Sequence, residues 1–283
     1  HAGAWPCDNY YADVNGTWTD ATVNNTSPGR DANDNVPGDG KFDQITMPSP
    51  AELMIGRIDF RRLDAATFGA TQAELFNRYF RKNYQWRTKQ YTAQYKALVD
   101  DNFGYFGGEA FAANGYRNAC PLVGAENVVN GDFLTDTDTS NYLMGYGCGA
   151  GSYTSAAGVG NSTQVATDSI NVVFSNIFGS YHGDWDYETN PLMPSVLASK
   201  GGILTCSWAG RPHWFMQALA SGETIGYCTK ETQNAQFNSE YIQTSSFGAG
   251  GAHVALLGDP TVRAHIVAPV PLLSAESTCT TVG

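Results

Sequence analysis

Two apolar runs near the middle of the chain set its fold class. INVVFSNIF, residues 170–178, and GGILTCSWAG, residues 201–210, are short and rich in β-branched and aromatic residues. Short runs dense in such residues suit strands covered on both faces, the condition of a parallel sheet. MPSVLAS, residues 193–199, lies between them and reads as a short helix. Strand, helix and strand in that order imply a crossover unit and an α/β fold with a mostly parallel sheet flanked by helices.

The rest of the chain extends the pattern. YYADVNGTW reads as a short strand running into a loop, and LMIGRIDF (53–60) is a short apolar run. Leu75, Tyr79, Phe80, Trp86, Tyr91, Tyr95 and Leu98 recur at helical spacing, which predicts a core-facing helix over about 72–99. ALVDDN, ENVVN and YLMGYGCG read as strands, and GGEAFAANGYRN contains a short helix. HWFMQALASGETIGYCTK predicts a helix ending near Gly222, and AHVALLGDPTVR a last strand region. Residues 1–268 are expected to form one domain, with Pro269 and Pro271 opening a linker-like tail over 269–283.

Composition narrows the function. The net charge is −11, which argues against a nucleic-acid partner because a phosphate backbone demands a basic face. No window approaches the length of an apolar membrane span. Only 15% of residues are charged, while Gly, Asn, Thr, Tyr and Trp are abundant, a balance suited to a secreted or cell-surface protein with ordered loops. The chain opens on His1 with no signal peptide, so it reads as a processed product. Six cysteines permit three disulfides, with Cys120 and Cys148 as loop partners, and none forms the CxxC pair of a zinc site.

In parallel sheets chemistry gathers at the carboxyl ends of the strands. The first central run leads into Tyr181-His182-Gly183-Asp184, and the second into Cys206-Ser207-Trp208. If the two strands are adjacent, an imidazole and a thiol emerge together, and the imidazole can activate the thiol. The competing reading makes Cys206 a buried strand residue and His182 a hydrogen-bonded loop histidine. Asp184, Asp186 and Glu188 follow the histidine, either to orient it, to meet a basic substrate side chain, or simply as a solvated loop. Arg211 and the tryptophans of WAGRPHWF line a pocket or pack on the next helix.

The loop DANDNVPGDGKFD alternates oxygen-bearing side chains with glycine. Asp31, Asn33, Asn35, Asp39 and Asp43, with Asp13 and Asn15 nearby, form a candidate Ca2+ ligand set. An ordinary Asx-rich turn accounts for the same residues without metal. GYGCGAGS lacks the Lys-Ser/Thr of a phosphate loop and is expected to shape a substrate wall. Four sequons begin at Asn15, Asn24, Asn25 and Asn161.

WPCDNYYADVNGTWTD, ELMIGRID, YGCGAGSYTSAAGVG, FGSYHGDWD, LTCSWAGRP, GETIGY and LLGDPTVR together resemble the gingipain-like C25 cysteine peptidases of the caspase–hemoglobinase fold. The resemblance spans residues 5–263, although the neighbours of Cys206 depart from the family's usual sequence. It implies a secreted endopeptidase acting on proteins or peptides, with His182 and Cys206 as a catalytic dyad and a thioester intermediate. The main-chain N–H groups of Cys206 and Gly183 would stabilise the oxyanion, and structural Ca2+ is implied as well. The alternative from another class is a non-catalytic extracellular module, a surface-fibre or matrix component whose partners are copies of itself.

Overall fold

A computed structural model describes residues 5–22, 29–211, 213–235, 237 and 251–265. Its centre is a six-stranded sheet with strand order β10-β9-β8-β5-β1-β4. The sheet strands are β1 (Ala97–Asp101), β4 (Val128–Asn130), β5 (Tyr142–Cys148), β8 (Val172–Phe178), β9 (Thr205–Ala209) and β10 (Val254–Gly258). All neighbours run parallel except β10, which pairs antiparallel with β9. Two small hairpins, β2 (Tyr105–Phe106) with β3 (Glu109–Ala110) and β6 (Ser155–Ala156) with β7 (Gly160–Asn161), decorate the loops.

Helices cover both faces. On one side α2 (Gln72–Arg87) and α6 (Leu192–Ala198) bury Leu75, Tyr79, Val196 and Leu197 in a cluster shared with Cys206, Trp208 and Leu257. Beside them lie α1 (Ala65–Phe68), α4 (Phe133–Thr139) and α5 (Ser162–Thr167). On the other side α3 (Ala112–Val123) and α7 (Ile225–Asn234) bury Ala119, Leu122, Ile225 and Cys228. β5 and β8 are buried along their whole length. This accounts for their apolar sequences, because each covered side chain loses contact with water on both faces of the sheet.

Local chemistry fixes the element ends. A capping box between Thr71 and Glu74 starts α2, and another between Asn161 and Gln164 starts α5. The predicted helix over 72–99 stops at Arg87: Lys89 takes φ 57°, which no helix continues, and Tyr91 and Tyr95 belong to the approach to β1. The helix expected to end near Gly222 instead begins after it. Gly222 closes a 3-10 turn (Gln217–Ser221) at φ 89°, and Thr224 then caps α7. YYADVNGTW (10–18) holds no strand, and its first two residues complete a 3-10 turn (Asn9–Tyr11).

The expected disulfides are absent among the described residues, where Cys7, Cys120, Cys148, Cys206 and Cys228 are all free. Cys148 closes β5 with its thiol toward Asp101, and Cys120 sits in α3. The tail over 269–283, including Cys279, lies outside the described residues, as do Asn24 and Asn25. Among the described residues no helix is long and apolar enough to cross a membrane.

Candidate functional site at the carboxyl edge of the sheet

β8 and β9 are adjacent and parallel, the condition on which an imidazole and a thiol could emerge together. Their register sets Ser175 opposite Cys206 and Asn176 opposite Ser207. Cys206 therefore stands three residues short of the level at which β8 ends, Phe178, and β9 runs on through Trp208 and Ala209. The expectation that Cys206 closes its strand is corrected by this register. Its side chain enters the cluster between the sheet and helices α2 and α6, where it is 0% exposed.

Burial pushes the Cys206 thiol up to about 12, with the Ser175 side chain opposing slightly. At neutral pH a thiol of that kind is thiolate on the order of once in 10⁵ molecules. A nucleophilic cysteine requires the opposite shift, produced by a nearby positive charge or a helix N-terminus.

His182 is turned inward too. Tyr181 adopts φ 71°, and the Asp184 N–H closes the turn onto the Tyr181 carbonyl at 3.1 Å. The turn folds the imidazole back under the loop. Nε2 lies 3.1 Å from the Ser155 carbonyl oxygen and Nδ1 3.5 Å from that of Ile177. A neutral imidazole has one donor nitrogen, and here both nitrogens face acceptors, so neither is directed at a thiol. Burial holds the ring below its usual pKa, with the two carbonyls opposing. Gly183 packs beneath Trp208, and a Cβ there would fall 2.4 Å from the indole. The three residues of the expected catalytic set are neighbours in the fold, but no hydrogen bond joins His182 to Cys206.

Aromatic residues from separate segments cover the rim itself. Trp5 packs edge-on against Trp208, with ring centres 5.3 Å apart, and against His253 at 4.5 Å. The Trp208 indole donates to the Gly179 carbonyl at 2.9 Å, and the Cys7 thiol to the Ala252 carbonyl at 3.1 Å. Arg211, just past β9, pairs with Glu109 at 3.3 Å and lies over Phe111. A cavity of about 300 Å3 opens beside this rim, walled by Trp5, Tyr10, Tyr11, Trp18 and Phe42. The glycine-rich loop lines a second cavity of about 560 Å3, facing Asp132, Asp138 and Gln164 rather than His182 or Cys206.

The proposed calcium ligands point in different directions. Asp13 accepts from the Gly16 N–H and from Ser49, and Asn15 donates to Glu52. Asp31 is exposed within a 3-10 turn (Asp31–Asn33), and Asn35 donates to the Phe42 carbonyl. Main-chain N–H groups, of Val36 at Asp39 and of Ala21 at Asp43, hold those two carboxyls below their ordinary range. These are hydrogen bonds to main-chain groups and side chains within the chain. Among the described residues no group of three or more His, Cys, Asp or Glu side chains is placed to hold a metal ion. The donor set does not fit a calcium cage of six to eight oxygens.

Asn33 alone of the set reaches the loop after β8, where its amide donates to Asp184 Oδ1 at 2.5 Å. It arrives with Arg30, whose guanidinium meets Asp184 at 3.1 Å, Asp186 at 2.9 Å and Glu188 at 3.2 Å. Arg30 escaped the sequence reading because its partners lie 154 to 158 residues away. Arg30 keeps its charge firmly. Burial nonetheless pushes the Asp184 carboxyl up to about 6, because Asn33 and Arg30 together return less than full burial takes from the carboxylate.

No family model matches the chain, and no curated protein matches it. Solved structures do. One is described as the structure of a protease, with TM-score 0.57 and 12% identity over 93% of this chain and 61% of the other. Another is the crystal structure of the Arg specific cysteine proteinase gingipain R, with TM-score 0.53 and 12% identity over 94% of this chain. The chain spans about three fifths of the length of each. The six-stranded, mostly parallel sheet and these neighbours give the chain a distant gingipain-like, caspase-type peptidase fold.

Proposed function

We propose that this chain is a non-catalytic extracellular module that keeps the peptidase fold and uses it to bind protein. The observation carrying the reading is Cys206: fully buried, inside its strand, and with its pKa raised. The covered rim supports it, since Trp5 and Trp208 stand over the strand ends where a substrate backbone would lie. Tyr10, Tyr11, Phe42 and Ile45 are exposed around the aromatic cavity, and apolar surface of that kind marks a contact with another macromolecule. An extracellular location rests on the low charge and the Asn- and Thr-rich loops.

The second reading is a cysteine endopeptidase using His182 and Cys206. The adjacent parallel strands and the proteinase neighbours favour it. It demands that the loop after β8 unfold far enough to release both side chains together. A quenched-fluorescent peptide library, run with wild type and Cys206→Ala, separates the two. The module predicts background cleavage from both proteins; turnover lost in the variant establishes the peptidase.

A further inference from the structure

Three carboxylates at alternate positions of one short loop, Asp184, Asp186 and Glu188, converge on a point that is not empty. The Arg30 guanidinium occupies it. The arginine side chain is only 8% exposed and Asp184 is 0% exposed, so this is an interior charge centre rather than a surface ion pair. Asn33 completes it, donating through Nδ2 to Asp184 and receiving Arg30 Nη1 at Oδ1 at 3.4 Å. Tyr153 and Tyr187 stack face to face with centroids 4.3 Å apart and planes 3° from parallel. The Arg30 carbon Cζ lies 6.0 and 5.7 Å from their centres.

We propose that Arg30 is the resident cation of this centre, and that it clasps the Asx-rich segment to the loop after β8. A guanidinium suits the geometry in ways a hard cation does not. Its donors spread across a plane wide enough to take oxygens from three carboxylates, and its face tolerates aromatic neighbours. A calcium ion draws its oxygens to about 2.3–2.6 Å and gains nothing from two stacked tyrosines. The Asn33 amide also points its NH2 group, rather than its oxygen, at Asp184.

Three carboxylates against one guanidinium leave the centre formally short of positive charge. A divalent cation is the ligand class it would accept with Arg30 removed. Two of its acidic members reach the surface, Asp186 at 34% and Glu188 at 58% exposure, which gives such an ion a way in.

Thermal unfolding of the full chain tests the assignment. The proteins are wild type, Arg30→Met and Arg30→Lys, each in EDTA and in millimolar CaCl2. Wild type is expected to melt at one temperature in both buffers. Arg30→Met should lose roughly 6–12 °C in EDTA, as expected for a buried carboxylate, Asp184, left without its partner, and recover part of it with calcium. Arg30→Lys should fall between, because a point charge cannot bridge three carboxylates. A wild type that loses stability in EDTA and regains it with calcium overturns the proposal, as does an Arg30→Met protein that melts like wild type. Should Arg30→Met fail to fold, the EDTA comparison on wild type still decides, and Glu188→Gln supplies the variant arm. Its loss should be about 2 °C, and no loss at all would remove Glu188 from the clasp.

Discussion

His182 and Asp184 lie two residues apart in one loop and are both almost completely buried, yet they are held in opposite ways. The imidazole sits among main-chain carbonyls beneath a tryptophan-covered rim. The carboxyl sits in a knot of charge built by a segment 150 residues earlier in the chain. The first arrangement suppresses reactivity, because the ring loses charge and both nitrogens face carbonyl oxygens. The second spends a costly buried charge on position, fastening the Asx-rich segment onto the sheet. Buried titratable groups beside a strand end are often read as catalysis. On the proposed non-catalytic reading, this histidine and this carboxylate serve the architecture of a loop instead.

The largest expected effect comes from breaking the charged half. Asp184→Ala leaves Arg30 buried among fewer partners and should cost about 3–5 kcal/mol in chemical denaturation. Trp208→Ala attacks the apolar half, removing the lid on Gly183 and the bond to the Gly179 carbonyl, and should cost about 3–5 kcal/mol. If the rim is only a cover, that variant gains no peptidase activity. Cys206→Ser puts a hydroxyl into the α2–α6 cluster and should cost about 1–3 kcal/mol, whereas a rim cysteine would tolerate serine.

A pH dependence belongs to the charged half as well. The folded Asp184 carboxyl titrates near 6 against 3.8 for an ordinary aspartate, so the folded state holds the proton longer. Its contribution to stability is therefore fully present below about pH 4 and is lost as pH rises through 6. Asp184→Asn should flatten that window, so the difference between the two stability curves changes between pH 4 and 6. A constant difference would mean that Asp184 titrates normally.

Much of the scaffold was legible in the sequence. The runs at β5, β8 and β9 are apolar because both faces are covered, and the crossover helix α6 follows from its place between two parallel strands. What stayed hidden was register. The residue string cannot reveal that Cys206 pairs with Ser175 rather than with the end of β8, three strand positions further on. The Asx-rich loop was visible as a cluster of oxygen donors, but turn acceptors and metal ligands have the same composition. Arg30 carried no local signal at all, since its meaning lies in three acids far along the chain.

The most direct test of the account is thiol labelling of the native protein near neutral pH, mapped by peptide mass spectrometry. Wild type and His182→Ala are compared before and after denaturation. The buried, inward-facing Cys206 predicts no labelling in the native wild type and full labelling only in denaturant. Rapid native labelling of Cys206 that slows in His182→Ala would contradict the account, because it requires an exposed thiolate activated by that imidazole.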